Sequence, residues 1–503
     1  MSRTKKFVIN VFFSASLSII TMIAGFIVPK IMLLNYGSEI NGLVSSITQF
    51  INYFVIVEAG LTAAAVFALY KPLAEKNQHK INEVVSTTKV FYYKTGLLFL
   101  LLVIILAIIY PFIVETSIMS SFEISLLVLT IGFIGVSDFF TLAKYRTLLS
   151  ADQKTYVVSI ASIVGVILNT IIIVVFSNLK FNILIVRLIA LFSVVVRTAM
   201  LIIYVKKNYV GIKFNLKPKN ELLNKRWDAF YLRLLDAIQN GSPYVILTVF
   251  SSLINVSIYT IYNMVMLGVN NILTIFINNL AASFGEIIAK KEKDTLKKAY
   301  NEFEFSYYNL ITIIYSLTFI LILPFIKIYT RSVHDANYIL PDVAALFVLN
   351  GFLFNVYTPQ KMLINAAGLY KETKVQTIIQ ALIIIVLGII LTPKYGLIGI
   401  LITSIISNLY RVIDLVYFIP TYVTKTKIKT TVYRIFKMFF LGSLIILSCY
   451  KMSYKIESFF SWIIIAIICG LVSLTIIVVF DLLFERNMVK SIMGILRYVF
   501  LKR

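Results

Sequence analysis

Apolar windows of about 20 residues recur along the whole sequence, and each is long enough to cross the ~30 Å hydrocarbon core of a bilayer. One of them, ITQFINYFVIVEAGLTAAAVFALYKP (47–72), is almost wholly apolar and still carries a carboxylate, Glu58. Hydrophobic residues make up 59% of the chain and charged residues 14%, whereas soluble domains have about 45–50% and about 25%. We therefore predict an all-α polytopic membrane protein with about 14 transmembrane helices.

The predicted helices, numbered 1 to 14 in chain order, are 7–34, 42–70, 91–114, 123–149, 156–178, 183–205, 231–253, 257–288, 303–326, 341–366, 375–392, 397–419, 435–453 and 460–484. With a cytoplasmic N-terminus, 36 of the 47 Lys and Arg residues lie in or beside inside loops and only 8 beside outside loops, as the positive-inside rule requires. Both termini are thus predicted to be cytoplasmic. The formal net charge of +24 indicates this topology and contact with anionic lipid, not a nucleic-acid partner.

Two halves of the chain resemble each other. LAEKNQHKINEVVSTTKVFYY (73–93) is similar to IAKKEKDTLKKAYNEFEFSYY (288–308), and IYPFIV (109–114) matches ILPFIK (322–327). Each half begins on the cytoplasmic side, so the repeat is parallel and places a substrate site between two lobes; the alternative is that any two apolar, Lys-punctuated halves look alike. The predicted modules are an N-terminal six-helix lobe (1–205), a Lys-rich linker (206–230), a C-terminal six-helix lobe (231–420) and two additional helices with a basic tail (421–503).

Polar residues recur at helical spacing on several predicted helices. Polar groups inside a bilayer need protein partners or water, so these stripes indicate either hydrogen bonds between helices or a wet cavity, and their number favours the cavity. The asparagines predicted to line it are Asn240 on helix 7, Asn263, Asn270 and Asn278 on helix 8, and Asn408 on helix 12.

Arg197 and Arg411 occupy matching places in predicted helices 6 and 12. An arginine at mid-membrane costs at least ~2.5–3.5 kcal/mol on insertion scales, and a guanidinium binds phosphate through two parallel hydrogen bonds. We predict that both residues face a hydrated space between the lobes and bind a diphosphate, whereas sealing each against a separate carboxylate would oppose this. A second basic layer, nearer the cytoplasm, consists of Lys144, Arg146 and Lys361. The alternatives are a local pair between Arg411 and Asp414, and second-layer side chains that snorkel to the interface.

The candidates for gating, or for coupling to an H⁺ or Na⁺ gradient, are the carboxylates Glu58, Asp138, Asp236 and Asp414 inside predicted helices. Small residues follow Glu58 and allow another helix to approach closely, which suits a gate held by an ion pair, a proton-coupling site or a structural pair. Arg187 lies near the outer end of helix 6 and is expected to anchor there. With two cysteines in apolar stretches and no phosphate-binding loop, neither a metal site nor a cofactor is predicted.

The segment LNYGSEINGLVSSITQFINYFVIVEAGLTAAAVFALYKPLAEKN (34–77) resembles Wzx-type polysaccharide flippases, with weaker similarity around LLSADQKTY (148–156) and INAAGLYKETK (364–374). These flippases belong to the multidrug/oligosaccharidyl-lipid/polysaccharide exporter superfamily, together with MATE transporters and lipid II flippases. The resemblance implies a MATE-like fold in a bacterial plasma membrane and transport of an undecaprenyl-pyrophosphate-linked oligosaccharide from the inner to the outer leaflet. The implied partners are that glycolipid, the bilayer and the polysaccharide polymerase machinery.

Other functions remain open at this stage. A lipid II or multidrug exporter of the same superfamily is the main alternative, although the deep charges lean basic and favour an anionic cargo. A membrane polysaccharide polymerase or ligase would be expected to have a large outside loop with catalytic groups, and the longest predicted outside segment, about 327–340, is short. The sequence therefore predicts a transporter rather than an enzyme.

Overall fold

A computed structural model describes the backbone of residues 3–58, 60–218 and 226–501. Within these ranges it describes all side chains except those of residues 3–4, 142, 226–233, 236, 240, 275–276, 278–279, 282 and 495–501. The described backbone is helical and contains no strand, which confirms the predicted all-α class.

The described residues form sixteen α-helices: α1 (Arg3–Phe54), α2 (Leu61–Ala74), α3 (Gln78–Ile113), α4 (Ser121–Ser137), α5 (Ala143–Ala151), α6 (Thr155–Asn178), α7 (Ile183–Asn208), α8 (Arg226–Phe250), α9 (Leu253–Ala289), α10 (Lys293–Tyr329), α11 (Pro341–Val356), α12 (Thr358–Ala367), α13 (Lys374–Phe418), α14 (Ile428–Cys449), α15 (Phe459–Phe484) and α16 (Arg486–Leu501). Ten stretches of helix in this part of the chain are long and apolar enough to cross a membrane. Two of them, Lys5–Ala74 with 70 residues and Lys374–Thr424 with 51, extend about 105 Å and about 77 Å at ~1.5 Å per residue. Each therefore has room for two of the predicted helices, so the count of about 14 is consistent with the structure.

Single glycines replace two predicted loops. Predicted helices 1 and 2 are joined within α1, where only Gly37 has non-helical torsion angles (φ 83°, ψ 176°). Predicted helices 11 and 12 are likewise joined within α13, at Gly396 (φ 54°, ψ −128°). Both conformations lie in regions that a Cβ atom disfavours, so glycine lets one helix bend where the sequence suggested a loop.

By its packing the chain forms two compact units, Met1–Ile258 and Tyr259–Arg503. In the first unit α1 packs along α6, α6 along α7, and α3 along α4. α8 packs on α1 in this unit as well. The predicted lobe boundaries follow from the sequence repeat rather than from packing, and they stay a prediction.

Small residues allow the close packing of α1 with the helices that follow the linker. A Cβ atom at Gly42 would lie 1.9 Å from the carbonyl oxygen of Leu253, and one at Gly241 would lie 2.7 Å from the ring of Tyr53. Both approaches are too short for any side chain. These glycines therefore fix where α8 and the start of α9 pack on α1.

In the second unit α10 is the central helix, with α11, α14 and α15 packed around it and α13 packed on α11. A buried apolar cluster that includes Ile320, Ile445 and Cys469 joins α10, α14 and α15. The last helix, α16, packs on α10 and α15. Sequence analysis treated this segment only as a basic tail and did not predict the helix.

Candidate functional site

Two predicted membrane helices of the first unit are interrupted, and each interruption carries a carboxylate. Predicted helix 2 breaks at a 3₁₀ turn, Val55–Glu58, which is followed by Gly60 in the left-handed region (φ 81°) before α2 begins. Predicted helix 4 breaks at a π-helical turn, Asp138–Leu142, which joins α4 to α5. Such π turns are frequent at functional sites, and interrupted membrane helices line binding sites in transporters.

Glu58, at the end of the 3₁₀ turn, forms an ion pair with Arg146 of α5. The Nη2 group of Arg146 donates a hydrogen bond to Oε1 of Glu58. This pair joins the interrupted helix 2 to the interrupted helix 4. Glu58 is therefore held by a charge partner 88 residues away, and Arg146 points to that carboxylate rather than only snorkelling to the interface.

Hydroxyl groups complete the surroundings of the Glu58 carboxylate. Thr62 of α2 donates to its Oε1 at 2.5 Å, and Tyr92 of α3 donates to the same oxygen at 3.4 Å. The Tyr92 hydroxyl also lies 2.6 Å from the Thr62 hydroxyl and 3.2 Å from the Thr147 hydroxyl of α5. Sequence analysis assigned no role to these three residues, because a single hydroxyl on an apolar helix carries no periodic signal.

The second carboxylate, Asp138, pairs with Arg197 of α7. The Nη2 group of Arg197 donates to Oδ1 of Asp138. The stem of Arg197 crosses α6 at Gly165, where a Cβ atom would lie 3.3 Å from Cδ of the arginine. A glycine at this point leaves room for the long side chain to reach the π turn.

The side chains of both ion pairs are partly accessible at the protein surface. The Arg146 and Glu58 side chains are 33% and 16% accessible, and those of Arg197 and Asp138 are 23% and 31% accessible. A charge that is paired yet partly accessible can exchange its partner at a lower cost than a sealed one. The four residues, Glu58, Asp138, Arg146 and Arg197, are called the first-unit network below.

Arg411 of the second unit is paired locally. Its Nη1 group donates to Oδ2 of Asp414 at 2.7 Å, so the structure contains the i,i+3 pair that was the alternative prediction. Arg197 and Arg411 are thus each neutralised by a carboxylate of their own unit. Neither guanidinium is free in the described structure, and their binding of a diphosphate stays a prediction that requires a carboxylate to be displaced.

The asparagines of the second unit take part in hydrogen bonds between helices. Asn408 donates to the side chain of Asn350 at 2.8 Å and accepts from Tyr357 at 3.3 Å. Asn270 accepts from Asn355 at 2.8 Å and from Tyr315 at 3.3 Å. This is the inter-helix alternative for both residues, and their lining of a cavity stays a prediction.

The structure describes the surroundings of the remaining predicted residues only in part. The side chains of Asn240, Asn278 and Asp236 lie outside the described residues. Lys144 of α5 contacts the rings of Tyr145 and Phe214, with Nζ at 5.0 Å and 5.4 Å from their centroids. Asn263 and Lys361 are half-buried on α9 and α12.

A group of charges lies between α5 and α6, outside the apolar spans. Asp152 accepts from Lys154 at 2.8 Å and from the Tyr209 hydroxyl at 2.6 Å, and Lys6 lies 3.5 Å away. Burial raises the pKa of the Asp152 carboxyl, but the hydrogen bonds from Lys154 and Tyr209 outweigh burial and hold the pKa below its usual value. This group connects the start of α1 to the α5–α6 turn on the predicted cytoplasmic side.

The second unit contains a charged network that sequence analysis did not predict. Arg434 of α14 pairs with Glu304 of α10 at 2.9 Å, and Lys437 of α14 pairs with Asp481 of α15 at 2.5 Å. Glu485 approaches both basic groups, at 3.7 Å from Arg434 and 3.0 Å from Lys437. Arg434 and Lys437 had been counted as loop charges, so only the three-dimensional packing identifies them as buried. These five residues are called the second-unit network below.

Comparisons with known proteins show the fold of the chain. No protein-family model matches the sequence, and no curated protein matches it. Among solved structures, the lipid II flippase MurJ in an inward closed conformation superposes with a TM-score of 0.72 at 16% identity, over 95% of this chain and 100% of that one. An inward-facing multidrug resistance MATE family transporter of the MOP superfamily gives a TM-score of 0.66 at 14% identity, over 78% of this chain and 93% of that one. The MATE multidrug transporter DinF-BH gives 0.57 at 18% identity, over 82% and 97% of the two chains.

These similarities establish that the chain has the fold shared by MATE transporters and MurJ. The predicted MATE-like architecture is therefore confirmed, as is a multi-pass membrane protein. At identities below 20% the fold alone follows, because one fold hosts different functions. The function has to be argued from the site.

Proposed function

We propose that the protein is a flippase that moves an undecaprenyl-pyrophosphate-linked oligosaccharide from the inner to the outer leaflet of a bacterial plasma membrane by alternating access. The fold supports a transporter, since the solved structures with this fold are described as transporters and a flippase. The resemblance of residues 34–77 to Wzx-type flippases supports the cargo. The excess of basic residues on one side of the predicted helices supports an orientation with both termini in the cytoplasm.

One observation carries the proposal: two arginine–carboxylate pairs lie at interruptions of membrane helices and remain partly accessible. Helix interruptions within a bilayer are tolerated where they line a cavity or are covered by protein. Guanidinium groups bind phosphate bidentately. Arg146 and Arg197 therefore offer an anionic head group two binding groups within one unit.

The mechanism that fits this arrangement is an exchange of partners. In the absence of cargo, Glu58 and Asp138 neutralise the two arginines, since an unpaired guanidinium inside a bilayer is costly. A diphosphate that enters takes over the guanidinium groups, and the released carboxylates require a new partner. Thr62 and Tyr92, which already donate to Glu58, keep hydrogen bonds to that carboxylate when Arg146 leaves. Coupling to an H⁺ or Na⁺ gradient would supply the missing positive charge.

The alternative cargo is lipid II, which also presents a diphosphate on a polyprenyl chain. MurJ, described as a lipid II flippase, superposes over 95% of this chain, and the first-unit network would serve either head group. An organic cation would instead have to displace the arginines from Glu58 and Asp138, so its transport would not require either guanidinium group. The two glycolipids differ in their sugars, so transport of each has to be measured separately.

The test is leaflet-resolved transport in proteoliposomes with three cargoes: an undecaprenyl-pyrophosphate oligosaccharide, lipid II and a fluorescent organic cation. We expect the wild type to move the oligosaccharide lipid fastest. Arg146→Gln and Arg197→Gln should each slow it by about tenfold or more, since losing one charge-assisted pair amounts to ~1.5–3 kcal/mol.

The matched control is Arg331→Gln, because Arg331 is exposed in the turn after α10. It should transport at the wild-type rate. Faster transport of lipid II than of the oligosaccharide lipid would identify lipid II as the cargo and would leave the proposed binding site unchanged. Transport of the organic cation that is indifferent to both arginine substitutions would contradict the proposed function.

A further inference from the structure

Arg187 differs from the other arginines in the membrane-spanning helices whose side chains are described. Arg146, Arg197, Arg411 and Arg434 each pair with a carboxylate. Arg187 has no such partner among the described residues. Its only hydrogen-bond contact there is a weak one, from Nη2 to the thioether sulfur of Met32 at 4.0 Å.

The guanidinium of Arg187 is not fully exposed to solvent. The residue is half-buried in the second turn of α7, and its Nε atom is inaccessible and without a hydrogen-bond partner. A guanidinium has five N–H donors and no acceptor, and buried donors without acceptors destabilise a fold. Anchoring at an interface, the sequence-based expectation, would leave these donors in contact with water or head groups.

The polar side chains on the neighbouring part of α1 and on the turn before α7 are already engaged with each other. Tyr36 of α1, one turn beyond Met32, donates its hydroxyl to the carbonyl oxygen of Phe181 at 2.8 Å. Lys180 donates to Asn35 at 3.0 Å. These groups are therefore satisfied without Arg187, and the guanidinium donors are left to an outside acceptor.

The position along α7 relates Arg187 to the first-unit network. Arg187 and Arg197 are ten residues apart on one helix, or about 15 Å along its axis. The inner arginine is neutralised by Asp138, and the outer one is not. Arg187 therefore lies on the predicted outer side of Arg197 along the same helix.

We propose that Arg187 binds the phosphate group of a lipid in the outer half of the first unit. Phosphate matches the fork of N–H donors, and a guanidinium binds it through two parallel hydrogen bonds. The lipid is either the diphosphate-linked cargo on its way out or an anionic phospholipid of the outer leaflet, and both present the same chemistry. The phospholipid arm is independent of the proposed function, so its result stands if that function fails.

The experiment measures thermal stabilisation of the detergent-purified protein by four probes: undecaprenyl diphosphate, phosphatidylglycerol, inorganic pyrophosphate and diacylglycerol. The variants are Arg187→Gln, Arg187→Lys and the control Lys180→Gln. For whichever phosphate probe binds the wild type, the apparent affinity of Arg187→Gln should fall by about tenfold or more, the factor expected when a charge-assisted pair is lost. Arg187→Lys should fall less, because it keeps the charge and loses the fork, and Lys180→Gln should match the wild type.

A second readout separates binding from folding. Without any phosphate lipid, Arg187→Gln should melt at or above the wild-type temperature, because an unpaired charge has been removed. An effect of undecaprenyl diphosphate alone identifies the cargo as the source, and an effect of phosphatidylglycerol identifies a phospholipid. Affinities for every phosphate probe that are the same in wild type and Arg187→Gln would overturn the proposal. So would a clear loss of stability in Arg187→Gln without lipid, since that would indicate a structural role.

Discussion

The first-unit and second-unit networks use the same kind of ion pair in opposite settings. In the first unit, Arg146 and Glu58 are 33% and 16% accessible and lie at helix interruptions. In the second unit, Arg434 and Glu304 are 3% and 2% accessible and lie within the uninterrupted helices α14 and α10. The difference teaches that a charge in a membrane helix is not by itself a sign of transport. Accessibility and an interrupted backbone separate the network that can change partners from the one that holds helices together.

The hydrogen bonds around each network support this division. Glu304 accepts from Tyr300 at 3.0 Å, from Thr431 at 3.0 Å and from Arg434 at 2.9 Å. Asp481 accepts from Lys437 at 2.5 Å and from Asn309 at 2.6 Å. A closed shell of this kind fixes α14 and α15 to α10, because separating any pair would leave a buried charge without a partner.

The largest effect should come from Lys437→Met in the second-unit network. The substitution strands the carboxylates of Asp481 and Glu485, so the free energy of unfolding should fall by about 3–5 kcal/mol. Titration of the purified protein with a denaturing detergent measures this loss. Lys429→Met, at an exposed position on the same helix, is the control and should change stability little. A Lys437→Met protein as stable as the control would remove the structural role assigned to this network.

The next largest effect concerns transport rather than folding. Glu58→Gln leaves Arg146 without its counter-charge but keeps the hydrogen bonds of Thr62 and Tyr92. Because the pair is partly accessible, we expect a loss of ~1–3 kcal/mol in stability and a fall of about tenfold or more in the transport rate per folded molecule. Flipping assays and unfolding titrations on the same preparation measure both quantities.

The distinction between the first-unit and second-unit networks fails if Glu58→Gln lowers stability strongly and leaves transport unchanged. A protein that unfolds easily while its transport per folded molecule stays normal would place Glu58 among the structural ion pairs. Glu75→Gln, just after the exposed end of α2, is the matched control for both assays. It should leave transport and stability unchanged.

Sequence patterns predicted what depends on short spacing. Apolar windows located the helices, because burial in lipid requires about 20 apolar residues in a row. The pair of Arg411 with Asp414 was foreseen as an alternative, because i,i+3 neighbours meet on one helix face. These features are local, and a single sequence contains all the information they need.

Patterns failed where the partner is distant or where the backbone departs from an ordinary helix. Asp138 and Arg197 are 59 residues apart, and nothing in either segment identifies the other. The 3₁₀ turn before Gly60 and the π turn at Asp138 have the same apolar composition as the helices around them. Glu304 lies at the start of predicted helix 9 (303–326), where no partner was identified, because its partner Arg434 is 130 residues away.

A smaller effect should follow from removing the conformational freedom of Gly60. Its φ of 81° is unfavourable for any residue with a Cβ atom, so Gly60→Ala should cost about 1–2 kcal/mol. Gly25 provides a matched control in α1, since a Cβ atom there would meet nothing within 4 Å, and Gly25→Ala should stabilise the helix by about 0.5–1 kcal/mol. Unfolding titrations compare the two. If Gly60→Ala also stabilises, the break after Glu58 is not a fixed feature of the first unit.

The smallest effect on stability is expected for an ion pair outside the membrane-spanning helices. Asp152 is a partly accessible carboxylate outside the spans, paired with Lys154 and bonded by Tyr209. Its pKa is held below the usual value by those partners, so its contribution to stability is present at neutral pH and disappears as the pH falls through the folded-state pKa, below ~3.9. Asp152→Asn should therefore cost no more than ~0.5–1 kcal/mol at pH 7 and nothing near pH 3, provided that the protein remains folded there. Unfolding titrations of wild type and variant at the two pH values measure the difference. A gap as large as that of Lys437→Met, or one that persists in acid, would show that accessibility does not rank these ion pairs.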